Sequence, residues 1–338
     1  MEKPENKVKP IVNVFTGIRP TGDLTVANYL GAVGPILKLQ SEGKKPVVFV
    51  ADIHAMTDRE PALARQFTNE VVADYLALGM DPEECQIYVQ SAIGAQILTL
   101  TTYLSRLVSV AELLRIPTLK DKLKHNANPE TANAMLLMYP VIMTADILLV
   151  KSEQVPVGED QLPHLEMARL IARRFNKQYG DVFPIPAAHE VQALRLLSLK
   201  GDGKMSKTSP ESAIFLTDSV EEAKKKIKRA TTATEGEMSD ALKSHIILAK
   251  GLAKKEEDIM KVDEIIQEHM SGKQVMGAFK ELLGKIVGEF LLEFQEKKKQ
   301  VVKDKNYVPS ILERGNKFAQ EIADRTMAEV ERAMFGKK

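Results

Sequence analysis

Phe15-Thr16-Gly17-Ile18-Arg19-Pro20-Thr21-Gly22 closes a short apolar, β-branched run that begins at Val12. Asp23-Leu24-Thr25-Val26-Ala27-Asn28-Tyr29-Leu30-Gly31-Ala32 then leads into a helical pattern. Two glycines and a proline between a strand and a helix make a turn where a nucleotide can approach the backbone, and the following helix N-terminus favours phosphate. The same pattern also serves as a plain structural turn. Outward from this stretch the strand signal recurs at Val47–Ala51 and Gln86–Gln90. Helical patterns follow over Asn28–Gln40, Pro61–Leu78 and Gln96–Leu114. Strand followed by helix, repeated, predicts an α/β fold, a doubly wound parallel sheet with helices on its faces. A further helix is expected over Pro129–Val150, kinked or divided at Pro140. Another is expected over Leu162–Phe175, then a loop rich in Pro and Ala from Phe183 to Ala188.

After Ile214–Leu216 the strand signal fades. The periodicity turns helical over Val220–Arg229, Asp240–Ala249, Val262–Ser271, Val275–Lys299 and Ile311–Met334. The chain is therefore expected to divide into a doubly wound α/β part, 1–216, and an all-α part, 217–338. No internal repeat or low-complexity tract interrupts it.

The 338 residues carry 47 basic and 46 acidic side chains, so a general polyanion coat is excluded and any nucleic-acid contact must come from local basic patches. Lys224-Lys225-Lys226-Ile227-Lys228-Arg229 and Lys297-Lys298-Lys299 are such runs, to be read as solvated helix faces or as phosphate contacts. Cys85 is the single cysteine, which excludes an intrachain disulfide, argues against cysteine-ligated metal and points to a reducing, cytoplasmic compartment. Met1–Pro10 has no apolar core of the signal-peptide kind, and no long uncharged apolar stretch predicts a membrane span.

Two more segments carry chemistry. Gly201-Asp202-Gly203-Lys204-Met205-Ser206-Lys207-Thr208 sets two lysines three apart in a glycine-rich loop, where mobile ammonium groups can follow charge moving onto a pyrophosphate. Val155-Pro156-Val157-Gly158-Glu159-Asp160-Gln161 offers close backbone approach at Gly158 and carboxylates suited to ribose hydroxyls. Taken singly, the first reads equally as a surface loop and the second as a loop with a helix cap at Asp160.

Together the three segments resemble the class I aminoacyl-tRNA synthetases, and within them the tryptophanyl-tRNA synthetases, over nearly the whole chain. Thr25-Val26-Ala27-Asn28 stands at the first signature of that family, and Lys204–Thr208 at its KMSKS signature. Tyr139-Pro140-Val141-Ile142-Met143-Thr144-Ala145-Asp146-Ile147-Leu148-Leu149, with Val155–Gln161, looks like the tryptophan subgroup rather than the tyrosine one. Three positions depart from the family pattern. Ala27 replaces a glycine beside the adenine and is expected to bear on ATP binding. Thr208 replaces a serine and keeps the hydroxyl, and Arg19 stands where many relatives have glutamine.

The resemblance implies a Rossmann-like catalytic domain that activates tryptophan with ATP, with Mg²⁺ bridging phosphate oxygens, and then loads tRNA(Trp). Thr25 and Asn28 are then expected to donate to phosphate, and Lys204, Lys207 and Lys122 to follow the departing pyrophosphate. Arg19, Pro20, Thr21, Ala27, Gly158, Glu159, Asp160, Leu196, Met205, Ser206 and Thr208 are expected to complete the ATP site, with Asp160 on the ribose. Asp146 falls inside an apolar helix, where a carboxylate can accept the single indole N–H, and such a site rejects a ring lacking that group by roughly 10⁴–10⁵. Phe15, His54, Tyr139, Met143, Val155, Val157 and Gln161 are expected to form the rest of the tryptophan pocket. No protein-held metal site and no covalent nucleophile are expected. The helical part, 217–338, would read the anticodon, with its last helix packing back on the catalytic, nucleotide-binding part, 1–216, and a homodimer would form through Gln96–Asn126. The rival readings are a tyrosyl-tRNA synthetase, a non-catalytic RNA-binding paralogue and an unrelated nucleotidyltransferase.

Overall fold

The computed structural model describes residues 8–20, 22–57, 60–125, 132–158, 161–190 and 196–336. Five strands, β1 (Val12–Ile18), β2 (Val47–Val50), β3 (Gln86–Val89), β4 (Ser152–Val157) and β5 (Ala187–Glu190), form one sheet in the order β3-β2-β1-β4-β5. Every pairing is parallel. The order reverses between β1 and β4, and ligands of open α/β sheets bind at such a crevice, outside the carboxyl ends of the strands. Successive side chains of a strand face opposite ways. Accordingly Val47 and Phe49 of β2 enter one core, and Val48 and Val50 enter the other.

The first helical pattern is less regular than its periodicity predicts. It consists of α1 (Val26–Asn28), a π-helical turn over Tyr29–Val33, and α2 (Gly34–Ser41). After β2 come α3 (Asp52–Ala55) and α4 (Pro61–Ala77). The single helix expected over Gln96–Leu114 is two, α5 (Gly94–Ser105) and α6 (Val110–Leu113). Ser109 stops continuation by capping α6: its hydroxyl accepts from Glu112 N, and Glu112 reaches back to Ser109 N. The helix α7 (Pro117–His125) follows. Pro140 does not divide α8 (Ala134–Leu149), which is buried along most of its length and held between α5 and α9 (Leu162–Tyr179).

The strands β4 and β5 replace expected loops. Although β4 lies inside the sheet, between β1 and β5, Glu153, Gln154 and Pro156 take its exposed and partly exposed positions and hide it in the sequence. Ile214–Leu216 adds no strand to the sheet. It pairs locally with the segment before α1 through Val26 N to Ile214 O and Leu216 N to Leu24 O.

The remaining chain is helical: α10 (Val220–Lys228), α11 (Asp240–Leu252), α12 (Glu256–Met270), α13 (Met276–Lys303) and α14 (Tyr307–Phe335). Both cores draw residues from either side of position 217. Phe279, Leu291 and Leu312 share a cluster with Val48 and Val72, and Ile322 and Met327 share one with Phe15 and Ile97. The helix α14 lies along the edge strand β3. A Cβ at Gly315 would fall 1.8 Å from Ile87 O, so only glycine lets this helix approach the strand backbone. The next residue, Asn316, accepts the edge amide of Val89 at 2.9 Å. Among the described residues no helix is long and apolar enough to cross a membrane.

Candidate active site

Two cavities meet at the carboxyl ends of β1 and β4. The first, of about 350 Å³, is lined by Phe15, Gly17, Phe49, His54, Lys122, Tyr139, Met143, Asp146, Val155, Val157 and Gln161, among others. All eight residues expected around an indole are in this wall. Their elements explain why. Phe15 projects from β1 and stacks on Phe49 of β2, ring centroids 4.8 Å apart and planes 10° apart. This is possible because Gly17, the register partner of Phe49, has no side chain. Tyr139, Met143 and Asp146 fall on one face of α8 at spacings of four and three residues. The Lys122 ammonium lies 4.6 Å from the centre of the Tyr139 ring. The Tyr139 hydroxyl is 3.1 Å from His164 Nε2, which is in turn 2.6 Å from Thr118 Oγ1, so α7, α8 and α9 are tied together beside the cavity.

At the floor lies Asp146, fully buried. A buried carboxylate is costly unless donors surround it. His54 Nε2 is 2.7 Å from Oδ2, and the Gln90 amide donates to Oδ1 and Oδ2 at 2.9 Å each. Gln90 Oε1 accepts the backbone N–H of His54 at 3.1 Å. In the other direction Asp52 Oδ1 accepts the backbone N–H of Ser91 at 3.0 Å, so the turns after β2 and β3 hold each other. The Tyr88 hydroxyl is buried close by without a hydrogen-bond partner. Burial, and then the charge of Asp146, push it well above the usual range of a phenol.

The second cavity, of about 310 Å³, shares Thr16, Gly17, Pro156 and Val157 with the first. It adds Ala27, Asn28, Gly31, Gly158, Leu196, Lys204 and Met205. Its orientation comes from a capping box. Asn28 Oδ1 accepts from Thr25 N at 2.9 Å and Thr25 Oγ1 at 3.0 Å, while Thr25 Oγ1 accepts from Asn28 N. Thr25 is buried and outside both cavities, whereas Asn28 lines the second. Opposite, Leu196–Met205 folds as a hairpin through Met205 N to Leu196 O and Ser198 N to Gly203 O. That hairpin presents exposed Lys204 to the cavity and buries Met205 beneath it. Lys207 Nζ donates to Gly22 O at 2.9 Å, tying this loop to the turn after β1. The Ser206 and Thr208 hydroxyls are 2.9 Å apart, away from both linings.

Arg19 lines the first cavity rather than the second, and Pro20 is buried outside both. Thr21, Glu159 and Asp160 lie outside the described residues. The sequence reading passed over Gln90, Phe49 and Thr16. Gln90 ends a strand-like run, and an amide there carries no signature of chemistry. Of the basic runs, Lys226 is held by Asp218 at 2.7 Å and by Ala213 O, and Lys298 by Asp74 of α4 at 2.5 Å. Lys297 and Lys299 pair with Glu293 and Glu296 on their own helix. Lys226 and Lys298 are thus structural cations, while Lys225, Lys228 and Arg229 are exposed.

A family model, tRNA synthetases class I (W and Y), matches residues 7–299. The tryptophan–tRNA ligase of Lactococcus lactis is 36% identical over 335 residues, covering 95% of this chain and 97% of its own. The tryptophanyl-tRNA synthetase of Campylobacter jejuni, solved in complex with ADP and tryptophan, superposes with a TM-score of 0.79 at 29% identity, covering 95% of this chain and 99% of that one. That of Mycoplasma pneumoniae does so with a TM-score of 0.83 at 28% identity, covering 97% and 98%.

Proposed function

The chain belongs to the class I tRNA synthetases (W and Y), and from its two joined cavities we infer how it acts as a tryptophan–tRNA ligase. It activates tryptophan with ATP and passes the activated amino acid to tRNA. The carboxylate of tryptophan attacks the α-phosphate, the bond to the β-phosphate breaks, and pyrophosphate leaves. A ribose hydroxyl of tRNA then attacks the acyl carbon, and AMP leaves. The first step needs in-line placement and a home for spreading negative charge.

The reading assigns the first cavity to tryptophan and the second to adenine and ribose. It rests on one observation: the cavity with the buried Asp146 adjoins the cavity with Lys204, and Thr16, Gly17, Pro156 and Val157 line both. Asp146 accepts the indole N–H. Asn28 donates to phosphate, and Thr25 fixes Asn28. Lys204, Lys207 and Lys122 attract the polyphosphate, with Arg19 beside them. Mg²⁺ would accompany the triphosphate of ATP, as this ion commonly does. By task the chain divides at 216/217, the helical part reading the anticodon of tRNA(Trp). Exposed Leu98, Val110 and Leu114 fit a homodimer contact in the expected region. A cytoplasmic place suits the single cysteine.

ATP–pyrophosphate exchange with each standard amino acid tests the reading, and only tryptophan should support it. Asp146→Asn should lower the preference for tryptophan over phenylalanine by about 100-fold, since an amide nitrogen would face either the indole N–H or the donors below. Unchanged discrimination in that variant would remove Asp146 from the role.

A further inference from the structure

We propose that Gln90 is the positioning residue for amino-acid choice: its amide sets the Asp146 carboxylate so that one acceptor site on Oδ1 stays available to the indole N–H. The proposal rests on the reading of Asp146 as the indole acceptor. An ionised carboxylate offers about four lone-pair sites. On Oδ2 two are taken, by His54 Nε2 and by Gln90 Nε2, and on Oδ1 one is taken, again by Gln90 Nε2. Oδ1 therefore keeps one acceptor site. Among the described residues only Gln90 touches both oxygens, so it fixes the rotation of the carboxylate about its own bond, which His54 at a single oxygen cannot do.

The amide cannot flip to serve equally well. Gln90 Oε1 accepts the backbone N–H of His54, and reversal would set donor against donor there and an oxygen against a carboxylate. Gln90 itself is fully buried. The backbone behind it is held from both directions, by Ser91 N to Asp52 Oδ1 and by Val89 N to Asn316 Oδ1. Asp146 thus inherits its orientation from the end of β3, not only from the helix that carries it. A group that merely satisfied a buried charge would bond one oxygen and need no such bracing.

The test compares tryptophan with benzothienylalanine, a near-isostere whose ring sulfur replaces the N–H, by kcat/KM in pyrophosphate exchange. The wild-type protein should prefer tryptophan. Gln90→Met keeps length without a donor, and should lower that preference by about tenfold or more, the measure of one hydrogen bond to a charged group. Gln90→Glu keeps the shape but sets two carboxyl groups together, and should lower it further. The KM for ATP should stay within about twofold in both. A preference retained in a folded variant would overturn the proposal. So would equal losses for both substrates, which is what general loosening of the pocket produces. Should Gln90→Met fail to fold, the isosteric Gln90→Glu decides by the same ratio. A wild type without preference would instead overturn the role of Asp146, which separates the two failures.

Discussion

Gly17→Ala places one methyl between the two cavities, at a position that lines both. Its Cβ would lie 2.6 Å from Cε1 and Cζ of Phe49 and 3.2 Å from Cε2. Carbon atoms settle at about 3.5–4.0 Å, so the ring must retreat by about 1 Å. Retreat is resisted, because Phe49 is stacked on Phe15 at 4.8 Å and lies 6.1 Å from the Tyr88 ring. Overpacking of this kind costs about 1–3 kcal/mol. In a chain of 338 residues that is a fall in Tm of roughly 1–4 °C. Displacing Phe49 and Phe15 also distorts the proposed indole wall, and a loss of ~1.4 kcal/mol there raises the KM for tryptophan about tenfold. Thermal unfolding followed by circular dichroism reads the first effect and pyrophosphate exchange the second. Adding Phe49→Leu should relieve the clash, so the double variant should be more stable than the sum of the single effects by about 1 kcal/mol or more. Strict additivity, or a Gly17→Ala protein with Tm and KM unchanged, would show that Phe49 has room and that the steric argument is wrong.

Lys207→Ala should lower the exchange rate by about 100-fold or more, as loss of one preorganised cation does, while tryptophan affinity stays unchanged. With no tryptophan in the chain, the ligand's own fluorescence reports binding directly, and equal losses in rate and affinity would give the loop a different role. His245 of α11 is buried with both ring nitrogens unpartnered, and burial, aided by Lys280, pushes its pKa down from the usual 6.5 to about 4. The neutral ring is therefore the folded form. Its contribution is complete above pH 6.5 and is lost as pH falls towards 4, because the unfolded chain takes up the proton first. His245→Leu should flatten the stability profile over that window in urea titrations, and a slope identical to wild type would contradict the assignment.

The sequence disclosed the sheet where strands are apolar and hid it where they are not. Val47–Val50 reads as a strand at sight, while Ser152–Val157 carries Glu153, Gln154 and Pro156 and looks like a loop. Ala187–Glu190 is a strand only because β4 lies beside it. The break between α5 and α6 leaves the leucine spacing intact, although the Ser109–Glu112 capping box was readable. The π-helical turn at Tyr29–Val33 has no signature in residue type. At the site, the eight tryptophan-pocket residues were named through family resemblance; residue spacing alone left Phe15 and Met143 indistinguishable from core. Asp146 stood out as an acid in an apolar helix. Its partner Gln90 did not, because the contact joins residues 56 positions apart and depends on how β3 ends.

The contact between α14 and β3 bears on how the protein is made. The Val89 amide and the Asn316 oxygen that accepts it are separated by 227 residues. At ribosomal speeds of about 5–20 residues per second, roughly 10–45 s pass between their synthesis. Through that interval β3 is an open edge, able to template pairing with other nascent chains. A chain arrested in that interval already holds Asp146, Lys204 and Lys207, yet the end of β3 that orients Asp146 is braced on one side only. The last helix is therefore what closes the sheet: until it is made, the Val89 amide lacks its Asn316 acceptor and β3 stays uncovered.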